Sequence, residues 1–346
     1  MSPSDWCDGF TGSDRPLLWP ALMPCHLLPL IGNGQGDFLC VRCADDGTLS
    51  EVVHWFHGGG DWIPWGRTLA DAILIDALSS FIPGSTRRHV PIDRTISSPD
   101  APKLDENSWL SFAHKQLGLQ CPISLNEASV TDWLIKHSIG TAAVWSGILA
   151  SKSDPSLASA TLSPRQIIEL QRVTDAAVRD YPSLAWTWEG SGLLHEKSGQ
   201  TAAAVEAYDR GARCSVFTSQ SVRLGTHGNE EQTPKFSITR LQDIAPERVR
   251  GDDYFRRLTM RTHADRQNAV HSYWMAAAGE QTDGSPSQWF CLHMAAWDLG
   301  LPSMQNYADV LRCIAESAEI GGADARAAVA RVHLDVLCRH PKSDTP

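Results

Sequence analysis

Residues 51–78 read EVVHWFHGGGDWIPWGRTLADAILIDAL, and two incompatible periodicities meet inside them. Glu51 to His57 are rich in β-branched and aromatic side chains, which suit a pleated strand. After the glycines at 58–60 the pattern changes. Leu69, Ala72, Ile73, Asp76 and Ala77 fall at helical spacing. Thr68 stands at the N-cap and Asp71 follows three residues later, as in a capping box. Upstream, Phe38-Leu-Cys-Val-Arg-Cys is a second β-favouring run. Between the two runs, Asp46-Gly47 tolerates the positive φ of a hairpin turn. The expectation is a hairpin followed by a helix.

Outward from this block the chain changes character. Residues 83–105 hold Pro83-Gly84, Pro91, Pro99 and Pro102, too many breakers for regular structure, and read as a linker. Beyond it the strand signals fade, and 108–117, 129–138 and 163–179 read as helices. Ser163-Pro164 is a good helix start, with a capping hydroxyl before a first-turn proline. Trp188, Gly192, Ala204, Tyr208 and Gly211 lie at offsets 0, 4, 16, 20 and 23, the spacing of a tetratricopeptide (TPR) repeat. Ser198-Gly-Gln is the expected turn between its two helices. One repeat cannot bury its apolar face alone, so helices at 270–278, 288–299, 306–318 and 323–337 are expected as neighbours. The stretch 218–253 is polar and poorly periodic, and reads as a long loop or hairpin insertion. The domains expected are 1–82, the linker 83–105, and a helical, TPR-like 106–346.

Composition narrows the class. The chain has 346 residues, 42% hydrophobic and 20% charged, within the range of globular proteins. No apolar run reaches the roughly 18–20 residues of a membrane span. The first residues carry no basic and apolar leader, so a cytoplasmic protein is expected. Nine scattered cysteines read as reduced, mostly buried thiols. Net charge is −10, and residues 1–100 carry 12 acids against 6 bases. Such a balance repels nucleic acid and favours basic partners at long range, or simply keeps the protein in solution.

The block around 29–78 resembles the SUKH (Smi/Knr-type) domain. The matching features are the apolar run with Pro29, the Gly36-Asp37 pair opening a strand, Trp55 in the next strand, Trp62, and the helix 69–78. The helices that relatives carry before this block have no clear counterpart in residues 1–27. The resemblance implies an α+β domain that works by binding other proteins. Bacterial relatives include immunity proteins that neutralise toxins, often nucleases, and fungal relatives serve in cell-wall regulation. Physically, Gly32, Gly34 and Gly36 let the chain bend into the strand, and Asp37 can accept from turn amides. Trp55, Trp62 and Trp65 can wedge the helix against the sheet. Trp65 and Asp61 are the candidate partner contacts.

Catalytic and metal-binding patterns are weak. Cys40-x2-Cys43 and His54-x2-His57 mimic a zinc pattern, but residues i and i+3 on a strand point to opposite faces. Gly32-Asn-Gly-Gln-Gly lacks the Lys-Ser/Thr ending of a phosphate loop. No G-x-S-x-G or H-E-x-x-H occurs. The expectation is a protein-binding immunity protein without catalytic residues, metal or cofactor, whose partner is a protein such as a basic toxin, not nucleic acid or membrane. One alternative is a scaffold whose helical region recruits the partner. Another is an enzyme with its site in an inter-domain cleft.

Overall fold

A computed structural model of the chain describes residues 23–32, 37–43, 48–57, 60–82, 115–120, 122, 124–152, 164–219 and 235–339. Four strands, β1 (Leu27–Gly32), β2 (Phe38–Cys43), β3 (Leu49–Trp55) and β4 (Trp62–Gly66), form an antiparallel meander in the order β1-β2-β3-β4. β2 and β3 are the expected pair, with Phe38 opposite Trp55 and Cys40 opposite Val53. Their Asp46-Gly47 turn lies outside the described residues. β1 and β4 go beyond the expected hairpin. Each contains a proline, Pro29 or Pro64, which argues against a central strand, and each is an edge of the sheet.

The capping box of α1 (Leu69–Ala77) is formed: Thr68 Oγ1 accepts from the Asp71 amide at 3.1 Å, and the Asp71 carboxylate accepts from the Thr68 amide at 3.2 Å. Its buried face is the expected one only in part. Ala72 and Asp76 are buried as their spacing suggests, but Leu74, Ile75 and Leu78 are fully buried too, while Leu69 is 39% exposed. The reason is that β4 packs on one side of the helix and the backbone at Gly140 closes on Ile75 from another.

The expected linker 83–105 and most of the helix at 108–117 lie outside the described residues. Then come α2 (Glu127–Lys136), α3 (Thr141–Lys152) and α4 (Pro164–Asp180). α3 has no counterpart among the expected helices. Ala142, Ala143, Val144, Trp145, Ser146 and Leu149 are all buried, so no polar face marks its period. α5 (Ala185–Lys197) and α6 (Thr201–Ala212) are the expected antiparallel pair, joined at Ser198-Gly-Gln. Gly192 is needed there, since a Cβ would lie 2.4 Å from the Tyr208 ring.

The stretch 218–253 is not a loop throughout. α7 (Phe236–Ile244), α8 (Pro246–Gly251) and α9 (Asp253–Leu258) are short helices whose length hides any periodicity. Residues 220–234 lie outside the described ones. α10 (His263–Gly279), α11 (Pro286–Trp297), α12 (Met304–Ile320) and α13 (Asp324–Arg339) are the last elements among the described residues, each packing beside the next.

Two large apolar clusters, with a small third one of Trp289, Ala318, Ala323 and Ala327, hold these elements. The first joins the sheet and α1 to α2, α3, α4 and α5, through Trp55, Ile75, Trp133, Trp145 and Trp186. The second joins α6 to α13, through Tyr208, Phe255, Trp297 and Tyr307. The apolar core therefore does not divide at 83–105. No helix among the described residues is long and apolar enough to cross a membrane.

Candidate functional site

The residues singled out from sequence are mostly architecture. Pro29 pairs with Cys40 on the edge strand, and Gly36 lies outside the described residues. Asp37 is 5% exposed and its Oδ1 accepts from the His57 amide at 3.0 Å and faces His57 Nδ1 at 2.9 Å. This ties the start of β2 to the end of β3. Trp55 is fully buried beside Phe38. The two candidate partner contacts require correction. Asp61 is fully buried and Trp65 is 6% exposed, packed edge-on to His54, so neither presents a surface to a partner. They face inward because β4 is covered by α1 and α3.

Trp62 has a second role. Only 7% of it is exposed, but unlike Trp65 that remaining surface faces an open cleft of about 350 Å3 between the sheet and the α4–α5 turn and forms its floor. The sheet side contributes Arg42, Ser50, Glu51, Pro64 and Arg67, and the turn contributes Asp180, Tyr181, Pro182, Ser183 and Leu184. Arg42 on β2 and Glu51 on β3 are ion-paired across the hairpin at 2.8 Å, both partly exposed. The Arg42 guanidinium also lies over the Trp62 ring, 5.9 Å from its centre. Opposite, the Tyr181 hydroxyl pairs with Thr141 Oγ1 at 2.9 Å. Burial, more than any neighbour, pushes the Tyr181 hydroxyl up, so it stays protonated at neutral pH. Pro182 is held by its carbonyl, which accepts from Trp188 Nε1 at 2.7 Å.

The cleft carries two guanidiniums and two carboxylates, so its charge is mixed rather than acidic. Its lining includes no histidine and no cysteine, and the Glu51 and Asp180 carboxylates both act on the Tyr181 hydroxyl. What it offers is aromatic faces, forked donors and rigid prolines. The sequence could have suggested the Arg42–Glu51 pair once the hairpin was drawn. Tyr181 and Pro182 carry no such signal, because chain folding alone brings them to β4.

A second polar cluster is sealed. Lys235 Nζ, with three N–H donors, lies within hydrogen-bonding reach of four acceptors, the Ala212 and Cys214 carbonyls at 2.8 and 2.7 Å, Tyr254 Oη at 2.8 Å, and the Asp298 carboxylate. Tyr254 and Trp274 donate to Asp298 Oδ2 at 2.6 and 2.7 Å. Lys235 and Asp298 are 3% and 0% exposed. Every donor is used within the protein and no substrate has access.

The zinc-like pairs separate. Cys40 lies in the core, His54 stacks on Phe56, and His57 engages Asp37. Among the described residues no group of three or more histidines, cysteines or carboxylates converges as a metal site. No family model, curated protein or solved structure matches the chain.

Proposed function

We propose that the protein acts by binding another protein, with the Arg42–Trp62–Tyr181 cleft as the docking site for an extended segment of that partner. The observation that carries this is the cleft lining. Trp, Tyr and Arg around one cleft are the residue types on which binding energy concentrates at protein interfaces. The SUKH-like order of Pro29, Asp37, Trp55, Trp62 and α1 adds the reading that the partner is a toxin held inactive by binding. The net charge of −10 would speed encounter with a basic toxin. The mixed charge of the cleft would then set register rather than attraction.

The test is co-expression with toxins encoded beside this gene, followed by titration of the purified pair. Rescue of the cells and a complex are expected. Arg42→Glu and Tyr181→Ala should each weaken that complex by about 10-fold or more. Unchanged affinity in both would remove the cleft from the reading, and failure to bind any neighbouring toxin would remove the immunity reading. A scaffold reading is favoured by the close α5–α6 approach at Gly192, which is TPR-like. It makes the helical array the reader, so Phe290→Asp and Ile320→Asp, at exposed apolar positions on α11 and α12, would then abolish capture instead.

A further inference from the structure

Three histidines outside the cleft meet where the start of β1 touches the C-terminal helices. The His26 ring lies edge-on to His293 of α11 at 4.5 Å and to Trp62 at 5.4 Å. His293 stacks on Trp297 at 5.0 Å. From α13, His333 Nε2 lies 3.3 Å from the Leu27 carbonyl and Nδ1 lies 3.1 Å from the Tyr307 hydroxyl. A carbonyl only accepts, so Nε2 carries the proton and Nδ1 accepts from Tyr307, which is the neutral imidazole. His26 is 6% exposed and its Nδ1 is buried without a hydrogen-bond partner.

The charged groups acting on the cluster are cations, Arg42 from β2 and Arg326 from α13. Glu51, the carboxylate near Arg42, is already taken by that guanidinium. Cys25 beside His26 adds only a thiol, pushed up to about 12 by burial and hence neutral. The cluster also sits between the two apolar clusters, since Met23 belongs to the first and Cys25 to the second.

We propose that His26, His293 and His333 form a pH-sensitive latch, which holds the first strand on the C-terminal helices while neutral and loosens that seam on acidification. Burial, reinforced by the neighbouring cations, holds His26 well below its usual value and His293 at about 3. Burial also holds His333 at about 4, partly opposed by the Leu27 carbonyl. Once exposed, each imidazole regains an affinity near 6.5, so the open form binds more protons below that pH. The latch is therefore fully stabilising above about pH 6.5 and weakens as pH falls toward 3–4. Near pH 5 His293 and His333 each shift the opening equilibrium by about 30-fold, and His26 adds to this in the same direction. Trp62 belongs to both the cluster and the cleft floor, so loosening extends toward the cleft.

Native-state hydrogen exchange on the full chain near pH 7.5 and near pH 5, corrected for intrinsic rates, tests this without a partner. Amides at 25–32 and 329–336 should open at least about 30-fold more at the lower pH, while α5 and α6 change far less. An equal rise along the whole chain, or none at the seam, overturns the latch. His26→Phe keeps a ring against Trp62 but takes up no proton, and should reduce the pH dependence by up to about 30-fold. If that variant does not fold, His333→Gln is read in the same way. Undiminished pH dependence in the variant that folds overturns the proposal, and the wild-type exchange map decides alone if neither does.

Discussion

Lys235 shows what a single buried charge requires. Its ammonium closes the C-terminus of α6 by donating to the Ala212 and Cys214 carbonyls, the first of which also accepts from Tyr254 Oη at 3.2 Å, and meets Asp298 just beyond α11. Burial pushes the neighbouring Tyr254 hydroxyl well above its usual range and the Cys214 thiol up to about 12, so both stay protonated. Lys235→Met would leave the Asp298 side chain buried without its cationic partner. The expected loss is about 3–5 kcal/mol of unfolding free energy, measured by urea denaturation. A loss below about 1 kcal/mol would mean that water reaches Asp298 and relieves it. Thr68 and Asp37 were legible from sequence because their partners are local or one strand away. Lys235 and Asp298 were not, because nothing along the chain relates two residues in different helical segments.

At the scale of elements, close approach decides more than propensity. Gly192 on α5 faces the Tyr208 ring, and Tyr208 Oη donates to Glu196 at 3.0 Å, which fixes the ring against the glycine. Gly192→Ala is expected to destabilise by about 1–3 kcal/mol despite its better helix propensity. Gly279→Ala on α10, where a Cβ meets open space, should instead be neutral or stabilise by up to about 1 kcal/mol. Thermal unfolding of the two variants gives the contrast, and equal shifts would refute the packing explanation. The same logic explains the elements missed by pattern. β1 and β4 hide behind prolines that only an edge strand tolerates. α3 is buried on several faces and so carries no amphipathic stripe.

For the whole molecule, the sheet does not own its core. Val130, Trp133, Leu134, Val144 and Trp145 from α2 and α3 share one cluster with Trp55, Trp62 and Ile75. A fragment of residues 1–105 would expose that surface to water, so it is expected to bind a hydrophobic dye and to lack a cooperative unfolding transition. A sharp, two-state melt of the fragment would contradict this. By itself the sequence determined the local structure: the β2–β3 hairpin, the capped start of α1, the α5–α6 pair and the positions of most later helices. Those signals depend on neighbours a few residues apart, which periodicity and capping record. Only the tertiary structure decided which tryptophans are sealed, that Asp61 and Trp65 face inward, and that Trp62 floors a cleft completed by Tyr181. Burial and cleft formation depend on contacts between residues tens to more than a hundred positions apart, and hydrophobic packing leaves no spacing in the sequence by which such pairs can be read.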